Sequence, residues 1–223
     1  MAASAAAWAV VLIQAREGLS VRQDLLPFTV AWTAMMAAMM LPSVAPVAAL
    51  YARSLGTQRL RLISFTTGYL AVWAATSVPA FTIAALDTLV RAAWVRPLAA
   101  GAFLLAAAYQ LTPLKALCLE HCRSPLSLLL EYARYKGPLR DLRAGAHHGL
   151  YCLGCCWPLM LLLPVVGMMN ILAALVLAAF VVLEKNLARG VVVSRAAAAV
   201  TALLGFASFV LPQLSAGVGS APM

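Results

Sequence analysis

The chain has 223 residues, 64% of them hydrophobic and 10% charged, with a mean hydropathy of +0.93 and a formal net charge of +9 from 16 basic and 7 acidic residues. That composition excludes an ordinary soluble domain and matches a polytopic membrane protein, for which the bilayer is the relevant solvent. Nucleotide-driven and hydrolytic functions have no support, because no glycine-rich phosphate loop, Ser/His/Asp order or spaced carboxylate pair is recognisable, and topology with anionic headgroups explains the basic surplus without nucleic acid.

A membrane span needs roughly 20 mainly apolar residues in a helix, since lipid offers no partner to a free amide. The first apolar segment, from Ala2 to Gln14, is short for a span and ends at Arg16-Glu17. It lacks the basic start and the cleavage site of a signal peptide, so it is expected to be retained. Further apolar segments cover approximately residues 27–51, 62–86, 97–114, 149–166, 168–183 and 191–211. The fold class expected is therefore all-α, a polytopic transmembrane helical bundle of six to seven spans in a single domain over residues 1–223. Seven spans with the N-terminus inside put twelve of the 16 basic residues in the cytoplasm and four (Arg16, Arg22, Arg91, Arg96) outside, the asymmetry that orients such proteins. The expected location is the inner membrane of a bacterium.

On the second segment, Met35, Met36, Met39 and Met40 stack at i and i+4 as two adjacent thioether stripes. They are either weak Cu(I) ligands or packing residues. Trp32 one turn earlier and Pro42 and Pro46 just after would position or kink this helix. Asp87 is expected at a helix end.

The long polar stretch from Lys115 to His148 holds nine of the 23 charged residues and reads as a basic cytoplasmic loop. Within it Ser124-Pro125 is a helix start, and Leu126, Leu129, Leu130 and Ala133 suggest an interfacial helix that Gly137-Pro138 would end.

All five cysteines fall into two clusters at the ends of this stretch. Cys118 and Cys122 stand at i and i+4 with His121 between them. Cys152, Cys155 and Cys156 lie in an apolar run, and on a helix starting near His147 they share a face with His148. Thiolates select Cu(I), Zn(II) or iron–sulfur clusters, whereas hard cations want oxygen. Buried thiolate with methionine nearby favours Cu(I). Zn(II) is the alternative, through a Cys₃His or Cys₄ site, although adjacent Cys155-Cys156 departs from the usual zinc-module spacing. The competing readings are inert buried thiols and dithiol chemistry at Cys152 and Cys155.

Past the cysteines, Met160 prolongs the stripe, Pro164, Gly167 and Asn170 supply a tight re-entry, and Met168 and Met169 are further soft donors. Glu184-Lys185 reads as an anchor at a helix end.

The segments WTAMMAAMMLP (32–42), YQLTPLKALCLEHCRSP (109–125), GLYCLGCCWPLM (149–160), GMMN (167–170) and Glu184-Lys185 together resemble a bacterial family of uncharacterised integral membrane proteins, a domain of unknown function described as predicted metal-binding. The resemblance implies metal binding by Cys118, Cys122, Cys152, Cys155 and Cys156, with Met35, Met36, Met39 and Met40 as accessory sulfurs. The function expected is thus soft-metal handling or delivery, centred on Cu(I), in the lipid bilayer. The alternatives are a membrane thiol–disulfide oxidoreductase, and a non-catalytic subunit or assembly factor with a protein partner in a membrane complex.

Overall fold

The computed structural model describes residues 2–17, 24–55, 59–89, 92–166, 170–187 and 190–210. Eleven helices and no strand occur among them: α1 (Ala2–Glu17), α2 (Leu25–Leu55), α3 (Arg59–Ala75), α4 (Ser77–Leu89), α5 (Ala92–Gln110), α6 (Pro113–Arg123), α7 (Pro125–Tyr132), α8 (Arg140–Met160), α9 (Leu162–Val166), α10 (Ile171–Asn186) and α11 (Gly190–Val210). Gly167, Met168, Met169 and Arg189 lie outside the described residues.

Among the described residues, four helical stretches are long and apolar enough to cross a membrane: Leu25–Arg53, Arg59–Leu86, Arg140–Val166 and Gly190–Val210. A fifth is formed if Pro97–Gln110 and Pro113–Arg123, bent by 63° at their junction, count as one broken span. Among the described residues the count is therefore four or five, against the six to seven spans expected from the sequence. With 16 residues each, α1 and α10 rise about 24 Å, less than the roughly 30 Å of hydrocarbon.

Local chemistry accounts for the breaks. Thr112 caps α6, its hydroxyl accepting from the Lys115 amide at 3.3 Å with Pro113 opening the helix. The Asn170 side chain caps α10 by accepting from the Ala173 amide at 3.0 Å. Gly137, at φ +89°, takes the left-handed conformation that closes the turn after α7. In contrast, α2 runs through Pro42 and Pro46 without interruption.

The stretch expected as a loop over 115–148 is mostly helical. α8 begins at Arg140, two turns before the expected start near His147, because Asp141 finds partners across the bundle: Arg61 Nη2 is 3.0 Å from its Oδ1, and the Tyr51 hydroxyl donates to it. An ion-paired, hydrogen-bonded carboxylate can be buried where a free one cannot. The short helix α7 follows Ser124-Pro125 as expected, but its inner face is Leu128 and Tyr132; Leu130 and Ala133 are exposed.

Helix α8 is the centre of the bundle, packed against α3 on one side and α6 on the other. The α3–α8 crossing depends on missing side chains. A Cβ at Gly68 would stand 2.1 Å from the Leu142 carbonyl oxygen, and one at Gly145 would stand 1.9 Å from that of Phe65. Small residues at such crossings let two backbones touch. α2 packs against α1, α3 and α10, and α11 lies along α5.

Burial runs opposite to that of a soluble domain. Lys115, Glu184, Lys185 and Asp141 are buried, while Leu26, Leu60, Leu172, Leu203, Phe206 and Phe209 are exposed.

Candidate metal centre

On α8 the steps from Cys152 to Cys155 and Cys156 place all three side chains inward, and each is 0% exposed. The Cys155 and Cys156 thiols both point back at the Cys152 carbonyl oxygen, at 3.1 and 3.0 Å. From α6, Cys122 is buried in the same core cluster as Cys152, Cys155 and Cys156. Cys118, half-buried, faces the same helix one turn away, and a Cβ on Gly154 would stand 2.7 Å from its sulfur. Gly154 therefore makes room for Cys118. All five thiols are free, and the fold brings both sequence clusters to the α6–α8 contact.

The sulfurs form a chain of neighbours rather than a closed cage. Cys122, Cys152, Cys155 and Cys156 belong to one buried cluster, and the Cys155 and Cys156 thiols share the Cys152 carbonyl oxygen. Among the described residues, however, the one trio of His, Cys or carboxylate ligand atoms gathered within 4.8 Å of one another is His121, Glu131 and His147. His121 turns away from the sulfurs because consecutive helix residues diverge by about 100°. Its ring stacks on Tyr151 at 3.7 Å and its Nε2 lies 3.3 Å from Glu131 Oε2. His148 is buried one turn before Cys152, between Phe65 and Tyr69, with Nδ1 3.1 Å from the Tyr132 hydroxyl.

Met35, Met36, Met39 and Met40 all enter the core that holds Cys122, Cys152, Cys155 and Cys156. Both thioether stripes are buried because α2 has neighbours on several sides. Met39 and Met40 lie one turn before Ser43, whose hydroxyl sits 3.4 Å from Lys185 Nζ. Met160, one turn past Cys156, is buried as well.

Glu184 and Lys185 are not a surface anchor. Lys185 Nζ stands 2.8 Å from Cys152 Sγ, which the Tyr69 hydroxyl also meets at 3.0 Å. Glu184 Oε1 is 2.7 Å from Lys115 Nζ, with the two side chains 0% and 1% exposed. A fixed ammonium against a sulfur is the charge arrangement that stabilises a thiolate. The signal in the sequence was ionisable side chains at the edge of an apolar segment, which mark function more often than anchoring. Their partners, 33 and 69 residues distant (Cys152 to Lys185, Lys115 to Glu184), are invisible to any local pattern.

The donor set is soft: five thiols, with thioethers in the same core and, among the described residues, no carboxylate hydrogen-bonded to a sulfur. Such a set suits Cu(I) and excludes Mg(II) or Ca(II) as cargo. No curated protein and no solved structure matches this chain. A family model described as PpoB2, copper chaperone, matches residues 29–208, a range that contains all five cysteines and the methionine quartet.

Proposed function

Since the chain belongs to the PpoB2 copper chaperone family, we propose that it is a membrane-embedded Cu(I) carrier, seated in the inner membrane of a bacterium, whose thiols hold the ion for delivery to a protein partner. The observation that carries this reading is the cluster of buried thiols at the α6–α8 contact with Lys185 against Cys152. Cu(I) is satisfied by two or three soft ligands at a time, so neighbouring sulfurs can pass it along. A structural Zn(II) site closes four protein ligands at once in a tetrahedron, and among the described residues no three of the sulfurs lie within 4.8 Å of one another. The path runs from the half-buried Cys118 and from Cys122 to Cys155, then to Cys152 and Cys156, with Met160 beyond.

Charge balance supports the same ion. Two thiolates on Cu(I) carry a net charge of −1, and a charge of that size in a dry core is stable only when paired. Lys185 supplies the counter-charge, while Lys115 and Glu184 neutralise each other. The membrane seat is supported by the apolar outer surface and the four spans of sufficient length.

The test is elemental analysis of the protein purified in mild detergent under reducing conditions, with and without Cys155→Ser plus Cys156→Ser. Near-stoichiometric copper that disappears in the double variant is expected. Metal-free protein that refuses added Cu(I) would overturn the proposal and turn attention to dithiol chemistry at Cys152 and Cys155.

A further inference from the structure

His121 on α6, Glu131 on α7 and His147 on α8 come from three helices and bring one ligand atom each within 4.8 Å of the others. Glu131 stands between the rings, with Oε2 3.3 Å from His121 Nε2 and Oε1 3.7 Å from His147 Nε2. A carboxylate hydrogen-bonding two imidazoles would be the ordinary explanation of such a group. The geometry does not favour it: His121 Nε2 is a buried nitrogen without a hydrogen-bond partner, and so is the other nitrogen of His147, Nδ1. Around a tetrahedral cation at about 2.0–2.1 Å, by contrast, two N or O ligands stand about 3.3 Å apart. The separation of His121 Nε2 from Glu131 Oε2 matches that edge length, and that of His147 Nε2 from the other oxygen, Oε1, is just above it, so the three side chains would close on an ion by small rotations from separations within 4.8 Å.

The rings are also held in place. Tyr151 stacks on His121 and meets His147 edge-on at 5.0 Å, and Tyr132 and Tyr135 close the other sides of His147 at 6.2 and 6.1 Å. Side chains locked by packing are what a ligand set needs to be preorganised. The donors are two imidazoles and one carboxylate, which suit a borderline divalent ion such as Zn(II) or Cu(II) and are poorly matched to Cu(I).

We propose that His121, Glu131 and His147 form a second metal site, separate from the thiols, that takes a divalent transition-metal cation with an open position for water. All three side chains are half-buried. Because α6 and α8 also carry the cysteines, an ion here ties together the two helices whose contact sets the spacing of the thiols.

Co(II) is the probe for the unmodified protein, since its visible spectrum reports ligand type without any substitution. Visible d–d bands of a tetrahedral centre without thiolate-to-cobalt charge transfer in the near ultraviolet are expected at one equivalent. Charge transfer from sulfur, or no tetrahedral spectrum at all, would overturn the proposal. Zn(II) titration of variants adds the assignment. Glu131→Gln and His147→Phe should each weaken Zn(II) by at least about 100-fold while leaving Cu(I) uptake unchanged, whereas Cys155→Ser plus Cys156→Ser should leave Zn(II) binding intact. Zinc lost with the cysteines and untouched by Glu131→Gln would place the ion on sulfur and sink the second site, leaving the copper reading standing. Loss of copper binding with zinc retained would do the reverse.

Discussion

Lys185→Met isolates the electrostatic part of the copper site. The substitution keeps an unbranched chain of similar length but removes the ammonium that lies 2.8 Å from Cys152 Sγ. With Cu(I) on two thiolates the excess negative charge is spread over both sulfurs, so a mean separation of about 4 Å is appropriate, and at an effective dielectric of about 20 the attraction is about 4 kcal/mol. Relaxation of the surrounding dipoles removes up to about half of it, which leaves roughly 2–4 kcal/mol, or about 30- to 700-fold in affinity at about 1.4 kcal/mol per decade. Competition with a coloured Cu(I) chelator at neutral pH, in detergent and under reducing conditions, reads this directly. Lys185→Arg, which keeps the charge, should retain most of the affinity provided the larger head is accommodated. A Lys185→Met protein that is folded, by its melting transition, and binds Cu(I) within threefold of the parent would refute the reasoning. The positive charge would then have no part in holding the ion.

Other expectations follow from the same geometry. Breaking the Lys115–Glu184 pair on one side, by Lys115→Met, strands a carboxylate in a site that is 0% exposed and should cost about 3–5 kcal/mol of stability, whereas Lys115→Met with Glu184→Leu should recover much of it; thermal melting of the three variants checks both statements. Gly145→Ala forces a methyl against the Phe65 carbonyl oxygen, 1.9 Å away, and should destabilise by about 2 kcal/mol or more, while Gly149→Ala, whose methyl meets the Val72 side chain at 3.0 Å and the Tyr69 carbonyl oxygen at 3.1 Å, should cost less than about 1.5 kcal/mol, because there the neighbours need give only a few tenths of an ångström. Gly154→Ala pushes on the Cys118 sulfur 2.7 Å away and should slow Cu(I) uptake while leaving the affinity at Cys152 and Cys155 within about threefold, seen in stopped-flow and chelator competition. Burial holds the Tyr132 phenol well above its ordinary value of 10.0, so its folded state binds the proton more tightly than the unfolded one. That contribution is complete below pH 10 and is lost as pH rises towards the folded value. Tyr132→Phe, which also removes the contact to His148, should cost about 1 kcal/mol at pH 8 and flatten the decline in melting temperature under alkaline conditions.

Much of this protein is legible in its sequence because the information is local. Apolar runs mark the long helices, since a backbone without water must bond to itself. Ser124-Pro125 marks a helix start because proline suits the first helical position, and Asn170 marks a break, where its side chain caps α10; the start of α6 at Thr112-Pro113 uses the same local chemistry inside what reads as one apolar segment. The inward stripe of Cys152, Cys155 and Cys156, and its soft-metal preference, follow from helical spacing and from sulfur itself. What tertiary structure decided is which groups meet. Arg61 and Tyr51 let Asp141 be buried and so start α8 at Arg140. Lys115 satisfies Glu184, and Lys185 finds Cys152. His121, one residue from Cys122 in the chain, faces Glu131 and His147 instead of the sulfurs. Each of these outcomes depends on a partner tens of residues away, and an ionisable group looks the same in the sequence whether it anchors a helix end in water or, once neutralised across the bundle, sits in the core.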